Sequence, residues 1–114
     1  FRVQIETSGT MPIRCHAAVW VTLSPKLGMP GGLDVRQDAW ERAGEIKFPV
    51  DTAEDLVRFE QALAAARRAA GPLTELVWLQ PVSQGKEATR LCVEAAFARQ
   101  WRVSVQVHKY LELR

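Results

Sequence analysis

Side chains able to bind a polar ligand fall where the predicted strands of this chain end. They carry cations, amides and hydroxyl groups: Thr7, Lys26, Lys47, Gln80, Ser83, His108 and Lys109. Glu6 is the one obvious acid beside them. Ammonium and amide donors suit a ligand that carries carboxylates and a polar heterocycle. The set therefore predicts the binding of such a small molecule.

The residue patterns of several common catalytic and metal sites are absent from the sequence. The sequence contains no Ser-His-Asp pattern, no glycine-rich phosphate motif and no paired carboxylates. Its two cysteines, Cys15 and Cys92, and its two histidines do not have the spacing of a zinc site. Cys92 falls on the inward face of a predicted helix, so we interpret it as a core residue. Two reduced thiols without secretory features predict a cytoplasmic protein.

Size and charge limit the possible partners. The chain has 114 residues, 47% hydrophobic and 25% charged, which suffices for a single domain over 1–114. A net charge of +2 is too small to indicate nucleic acid or an anionic membrane as partner. The longest apolar run is far below the roughly 20 residues of a membrane span. The chain starts at Phe1, inside a predicted strand, and is therefore expected to be a fragment of a larger protein.

Alternating strand and helix patterns predict an α/β fold with a parallel sheet, in the order β-β-α-β-α-β-α-β. The predicted strands cover residues 2–6, 17–23, 45–50, 76–79 and 101–107. The predicted helices cover residues 33–43 and 86–99, with a third running from an Asp51 cap paired with Glu54 to Gly71. The apolar run at 76–79 is typical of a strand covered on both faces.

The loops after these strands are expected to share one edge of the sheet, where α/β folds bind ligands. Residues 7–10 form either a plain turn or a loop whose backbone approaches a ligand. Pro25 stiffens the next loop and lets Lys26 reach back over its strand end. Lys47 either snorkels to water or points at an anion inside a barrel. Both pairs of alternatives stay open at this point.

Four motifs resemble the 7-carboxy-7-deazaguanine synthase family of radical S-adenosylmethionine enzymes. They are QIETSGT at 4–10, WVTLSPK at 20–26, LQPVS at 79–83 and WRVSVQVHKYL at 101–111. The resemblance covers essentially the whole chain in order, and Ser-Pro-Lys and the final His-Lys-Tyr-Leu are its most specific parts. It implies that the chain is the carboxyl-terminal half of a partial (β/α) barrel.

The resemblance also implies an activity and its cofactors. The activity is that of a lyase of queuosine and 7-deazapurine synthesis, with S-adenosylmethionine, a four-iron four-sulfur cluster and magnesium. A 5′-deoxyadenosyl radical would take a hydrogen from 6-carboxytetrahydropterin, whose ring then contracts and loses ammonia. The motifs imply S-adenosylmethionine contacts at Gly9, Ser24, Pro25, Lys26, Gln80, Pro81, Val82 and Ser83. They imply substrate contacts at Thr7, His108 and Arg114, and no catalytic residue or metal ligand.

Two departures from the family pattern affect these expectations. The family's three-cysteine cluster motif is absent, so the isolated chain is expected to lack the cluster and to be inactive. Val107 and Glu112 replace a usual Thr and a common Gly, which affects only fine substrate contacts. Two alternatives remain: an activating enzyme for a glycyl-radical protein, and a non-catalytic ligand-binding or interaction domain. The open edge of the first strand predicts a homodimer.

Overall fold

A five-stranded parallel sheet organises the computed structural model, which describes residues 3–27, 34–82 and 85–104. The strands are β1 (Gln4–Thr7), β2 (Trp20–Leu23), β3 (Glu45–Val50), β4 (Val77–Pro81) and β5 (Arg102–Val103). The helices are α1 (Gln37–Arg42), α2 (Ala53–Ala70) and α3 (Lys86–Arg99). The strands lie in sequence order, and every neighbouring pair is parallel. The predicted fold class and element order are confirmed.

One face of the sheet forms the core together with the helices. Alternate strand residues are buried there: Val21, Leu23, Ile46, Phe48, Val50, Val77 and Leu79. The ring of Phe59 from α2 stacks on Phe48 with centroids 4.6 Å apart, and Trp101 meets the Phe59 ring edge-on at 5.4 Å. Right-handed crossovers between consecutive parallel strands place all three helices on this face. The prediction that β4 is covered on both faces is wrong for the described residues, since Trp78 and Gln80 are only partly buried.

Helix α2 follows the predicted pattern but begins one residue later than expected. Leu56, Phe59 and Leu63 are buried at three- and four-residue spacing. Its N-cap is Thr52, and the Asp55 carboxylate accepts the backbone N–H groups of Asp51 and Thr52 at 2.9 and 3.0 Å. The predicted pair of Asp51 and Glu54 is therefore replaced by the pair one position along. The helix ends at Gly71, as predicted.

Helix α1 is shorter than predicted, while α3 has the predicted bounds. Arg36 has an extended backbone and donates its N–H to the Gly9 carbonyl at 2.8 Å, so helical geometry starts only at Gln37. Residues 28–33 lie outside the described part of the chain. In α3, Ala96 is buried and Ala98 is exposed, contrary to the expected inward position of Ala98.

Every strand except β3 differs from its predicted bounds. β1 covers Gln4–Thr7 rather than residues 2–6, and β5 covers Arg102–Val103 rather than residues 101–107. β2 begins at Trp20 rather than at residue 17, because residues 17–19 form a turn. β4 continues through Pro81, which pairs in register with Val50; a missing N–H is tolerated at a strand end. Residues 105–107 of the predicted last strand lie outside the described residues. None of the helices in the described ranges has the length and apolar character needed to cross a bilayer.

Candidate ligand-binding face

The sheet face opposite the three helices is mostly polar. Because side chains alternate along a strand, the neighbours of the core residues point to this second face. They are Gln4, Glu6, Trp20, Thr22, Glu45, Lys47, Pro49, Trp78, Gln80 and Arg102. We call this surface the polar face. Half a barrel would present the same surface to its interior, and α/β barrels bind their ligands at the carboxyl end of the strands around that interior.

Two carboxylates and a hydroxyl form a straight row across the polar face. Glu6 pairs in register with Thr22, and Thr22 pairs with Glu45. We call these three residues the acidic row. Neighbouring strands lie about 4.8 Å apart, so the Cα atoms of the two glutamates are separated by about 10 Å. The Thr22 hydroxyl donates to Glu45 Oε1 at 2.9 Å, and Thr22 is only 7% exposed.

The next row contains two positive side chains with a tryptophan between them. Lys47, Trp78 and Arg102 are register partners on β3, β4 and β5, and we call them the cationic row. Lys47 lies two residues beyond Glu45, which places the two rows about 7 Å apart. The Arg102 guanidinium lies over the Trp78 ring, 5.4 Å from its centroid. Among the described residues, the buried Trp78 indole N–H has no hydrogen-bond acceptor.

A depression opens where the two rows meet. Its volume is about 290 Å³, and it is lined by Gln4, Ile5, Glu6, Thr22, Glu45 and Lys47. This is close to the lower limit of small-molecule pockets, which span roughly 300 to 1,000 Å³. The depression brings carboxylates and an ammonium group to one place, and a small ligand with both donors and an acid group matches that arrangement.

The Ser-Pro-Lys loop lies at the carboxyl end of β2. Ser24 and Pro25 are buried, and the Ser24 N–H donates to the Thr7 carbonyl at 2.8 Å. Lys26 is exposed, and its Nζ lies 3.5 Å from Ser24 Oγ. The expectation that Lys26 reaches back over the strand end is confirmed. Its ammonium group remains accessible to an anion from solvent.

Gly9 is held inside the protein rather than against solvent. Its φ is +74°, its N–H donates to Thr7 Oγ1 at 3.1 Å, and its carbonyl accepts from Arg36. Both backbone polar groups are therefore engaged within the chain. The requirement for glycine follows from packing against Leu23 and Ala39. A contact of Gly9 with S-adenosylmethionine stays a prediction, as does a substrate contact of Thr7.

The carboxyl edge of the sheet is strongly staggered. Leu23, the last residue of β2, is level with Ile46 and, through it, with Val77. β3 and β4 each run four residues further, which is about 13 Å. Lys47 is therefore level with the exit of β2, although it lies in the amino-terminal half of its own strand.

Of the remaining residues with a predicted ligand contact, the structure describes three and leaves three outside its described ranges. Gln80 lies on the polar face and is in register with Pro49, beyond the cationic row. Pro81 is buried on the core side, and the exposed Val82 donates its N–H to the Val50 carbonyl at 3.0 Å. The contacts predicted for Ser83, His108 and Arg114 fall outside the described residues. Gln80 thus joins the polar face, whereas Pro81 does not.

Two residues of the polar face escaped the sequence interpretation. Glu45 and Thr22 belong to different strands, 23 residues apart. Thr22 stands in the WVTLSPK motif at 20–26, but the motif assigned no contact to it, and Glu45 stands in no motif. Alternation within each strand identifies their face. Only the inter-strand register shows that the two side chains meet.

The thiols do not form a metal centre. Burial raises the pKa of the Cys92 thiol to about 11, so Cys92 remains a protonated core residue at neutral pH. Cys15 lies in the loop before β2, with Arg42 Nη2 3.8 Å from its sulfur. Across residues 3–27, 34–82 and 85–104, no three His, Cys, Asp or Glu side chains are grouped as metal ligands would be.

Comparison with known proteins identifies the relatives of this sheet. No family model matches the chain. The 7-carboxy-7-deazaguanine synthase of Escherichia coli K12 is 48% identical over 113 residues, which cover 99% of this chain and 49% of that protein. This chain is similar to half of a 7-carboxy-7-deazaguanine synthase. The synthase of Buchnera aphidicola from Schizaphis graminum is 39% identical over 114 residues, again 49% of its length.

The structural comparison agrees with the sequence comparison. The crystal structure of QueE from Escherichia coli matches 93% of this chain with a TM-score of 0.81 and 47% identity. The match covers 45% of the QueE chain. The chain thus spans about half the length of the synthases it matches, and the predicted resemblance to this family is confirmed.

Proposed function

We propose that this chain is the carboxyl-terminal half of a radical S-adenosylmethionine enzyme with 7-carboxy-7-deazaguanine synthase activity. In that role it belongs to a cytoplasmic carbon–nitrogen lyase of queuosine and 7-deazapurine synthesis. The observation that carries the proposal is the polar face, where the acidic row adjoins Lys47 in one depression. The similarity to the synthases over the whole chain supports it.

The proposed substrate, 6-carboxytetrahydropterin, has the chemistry that this face would recognise. Its ring edge carries several N–H donors, and it bears one carboxylate. The acidic row supplies acceptors for such donors, and Lys47, whose Cα lies about 7 Å from that of Glu45, supplies a cation for the carboxylate. Thr7, His108 and Arg114 complete the proposed substrate contacts, the last two from outside the described residues.

S-adenosylmethionine is proposed to bind at the carboxyl edge of the sheet. The proposed contacts are Gly9, Ser24, Pro25, Lys26, Gln80, Pro81, Val82 and Ser83. The exposed Lys26 ammonium fits the methionyl carboxylate, and the Gln80 amide on the polar face fits a polar ligand group. In enzymes of this class, bound S-adenosylmethionine and the iron–sulfur cluster supply the radical that takes a hydrogen from the substrate.

The described residues do not fit the iron–sulfur cluster. Its ligands are thiolates, and the sequence contains only Cys15 and Cys92, with Cys92 buried in the core. The cluster of the proposed enzyme therefore requires thiolate ligands other than the described residues. On this basis we propose that the 114-residue chain alone is inactive.

The proposal also covers the partners of the protein. Besides the small-molecule substrate, we propose a second copy of the same protein in a homodimer, and no nucleic acid or membrane partner. β1 is an edge strand of the sheet, and Ile5 on it is 37% exposed. An unpaired edge with an exposed apolar residue favours association. Light scattering of the 114-residue chain, in which this edge is open, should give the mass of a dimer, and a monomer at high concentration would remove this part of the proposal.

Turnover by the full-length gene product tests the activity itself. The protein, reconstituted anaerobically with iron and sulfide, should convert 6-carboxytetrahydropterin to 7-carboxy-7-deazaguanine and form 5′-deoxyadenosine. Formation of 5′-deoxyadenosine only with a glycyl-radical protein would instead favour an activating enzyme. Absence of both cluster and turnover would favour a non-catalytic binding domain.

A variant of Lys26 tests the cofactor side. Loss of a hydrogen bond to a charged group costs about 1.5–3 kcal/mol, which is roughly a ten- to a hundred-fold loss of affinity. Calorimetry on the full-length gene product should show that loss for Lys26→Ala binding S-adenosylmethionine. Arg67→Ala removes an exposed cation from α2 and should leave the affinity unchanged. Equal affinities for the two variants would make Lys26 an ordinary solvated residue.

A further inference from the structure

The hydrogen bond between Thr22 and Glu45 joins two strands on the polar face. Thr22 Oγ1 donates to Glu45 Oε1 at 2.9 Å. Both side chains line the depression, which also contains Glu6 and Lys47. The bond is not part of the sheet ladder, so the fold does not require it in order to pair β2 with β3.

The two partners differ in their burial. Thr22 is 7% exposed, and its β-branched side chain has few rotamers, so its hydroxyl has a nearly fixed position. Glu45 is partly exposed and has three rotatable side-chain bonds. A fixed donor that binds one oxygen of a flexible carboxylate determines where the second oxygen points. In this pair, Thr22 therefore orients and Glu45 is oriented.

We infer that Thr22 is a positioning residue that holds the Glu45 carboxylate ready to accept N–H donors from a bound ligand. The ligand class is a nitrogen heterocycle with adjacent N–H groups along one edge. Glu45 Oε1 accepts from Thr22, and Glu45 lines the depression, so Oε2 is the oxygen that this role assigns to the ligand. The inference rests on the proposed function for the identity of the ligand, and it gives Thr22 and Glu45 roles that the sequence motifs did not assign.

The positions of the other charged groups support this assignment. Glu6, two strands away in the same row, supplies a second carboxylate about 10 Å from Glu45 between Cα atoms. Lys47 lies two residues along β3 on the same face. A ring bound between these groups would meet acceptors at its N–H edge and a cation at its acidic end. Preorganisation of Glu45 lowers the entropy lost when that ring binds.

Three variants of the full-length gene product separate this role from a structural one. Thr22→Val keeps the branched shape and removes the hydroxyl, whereas Thr22→Ser keeps the hydroxyl. Glu45→Gln keeps the size and removes the charge. Calorimetry with 6-carboxytetrahydropterin, performed without turnover, should give a loss of affinity of about tenfold for Thr22→Val. Thr22→Ser should restore most of it.

A double-mutant cycle supplies the decisive measurement. If Thr22 acts through Glu45, the Thr22→Val/Glu45→Gln double variant should bind the ligand no more weakly than Glu45→Gln alone. Losses that multiply would show that Thr22 acts independently and would overturn the inference. So would unchanged affinity of Thr22→Val.

Two further results distinguish the possible failures. If the wild-type protein does not bind 6-carboxytetrahydropterin, the proposed function fails, and this inference fails with it. If the wild type binds and turns over but Thr22→Val behaves like it, only the role of Thr22 is wrong. Thermal unfolding of each variant checks the fold, and Thr22→Ala, which also removes the hydroxyl, provides the test if Thr22→Val does not fold.

Discussion

Gly9 and Leu23 pack so closely that no side chain fits between them. A Cβ atom on Gly9 would lie 2.6 Å from Leu23 Cδ1, and also 2.9 Å from the Ala39 Cβ. Leu23 is fully buried at the carboxyl end of β2. The loop after β1 thus packs against Leu23, the residue that directly precedes the Ser-Pro-Lys loop. The positions of the two loops therefore depend on the same part of the core.

Gly9→Ala should therefore destabilise the protein through both its backbone and its packing. Overpacking typically costs about 1–3 kcal/mol, in addition to about 1–3 kcal/mol for a strained backbone. Gly71→Ala is the matched control, because Gly71 also has a positive φ, +86°, but open space around it. Denaturant unfolding should show a larger loss for Gly9→Ala. Equal losses of unfolding free energy for the two variants would mean that Leu23 and its neighbours move aside for the added Cβ without destabilising the fold.

Arg42 joins the end of α1 to the loop before β2. Its Nη2 donates to the carbonyl oxygen of Val19 at 2.6 Å and lies 3.2 Å from that of His16. Arg42→Ala leaves these carbonyls without the guanidinium and should lower the free energy of unfolding by about 1.5–3 kcal/mol. Arg58→Ala is the control, because the ion pairs that Arg58 makes with other described residues are long and lie on the surface of α2. Its effect should stay within about 0.5 kcal/mol. Similar losses for both variants would contradict a special role for Arg42.

Asp55, at the start of α2, should make the stability of the fold depend on pH in the acidic range. Burial by itself raises the pKa of Asp55, but the N–H groups of Thr52 and Asp51 and the Arg58 charge more than offset it and lower that pKa. A lowered pKa stabilises the fold above the unfolded value of about 3.9. That contribution is lost as the pH falls through the folded pKa.

Asp55→Asn should therefore cost about 0.5–2 kcal/mol at neutral pH, and the difference from wild type should shrink below about pH 4. Urea unfolding at several pH values measures this. Asp51→Asn is the control, because the Asp51 carboxylate has no hydrogen bond within the described residues. A pH-independent difference for Asp55→Asn would show that its charge does not matter.

The isolated 114-residue chain should bind no stoichiometric iron–sulfur cluster, because a chain with two cysteines cannot supply three thiolates. Anaerobic reconstitution followed by iron and acid-labile sulfide analysis checks this. The full-length gene product, treated in parallel, serves as the comparison. About four irons bound stably per isolated chain would refute the expectation.

Local patterns were sufficient for most elements. β3 and α3 have the bounds that the sequence predicted, since each has strong periodicity and clear end signals. For α1 and β2, a contact from elsewhere in the chain displaced the predicted start. Arg36 donates to Gly9 and delays α1, and Arg42 holds the turn at 17–19 and shortens the start of β2. No window of local sequence contains these partners.

The sequence by itself determined the parallel α/β order, the inward face of α2 and the loop that carries Lys26. The tertiary structure alone decided which side chains share a row. Thr22 and Glu45 come together because β2 pairs with β3 in one register, and a shift by one residue would turn Glu45 into the core. That register is set by burial of Leu23 and Ile46 against the helices. The polar face is therefore a consequence of how the opposite face packs.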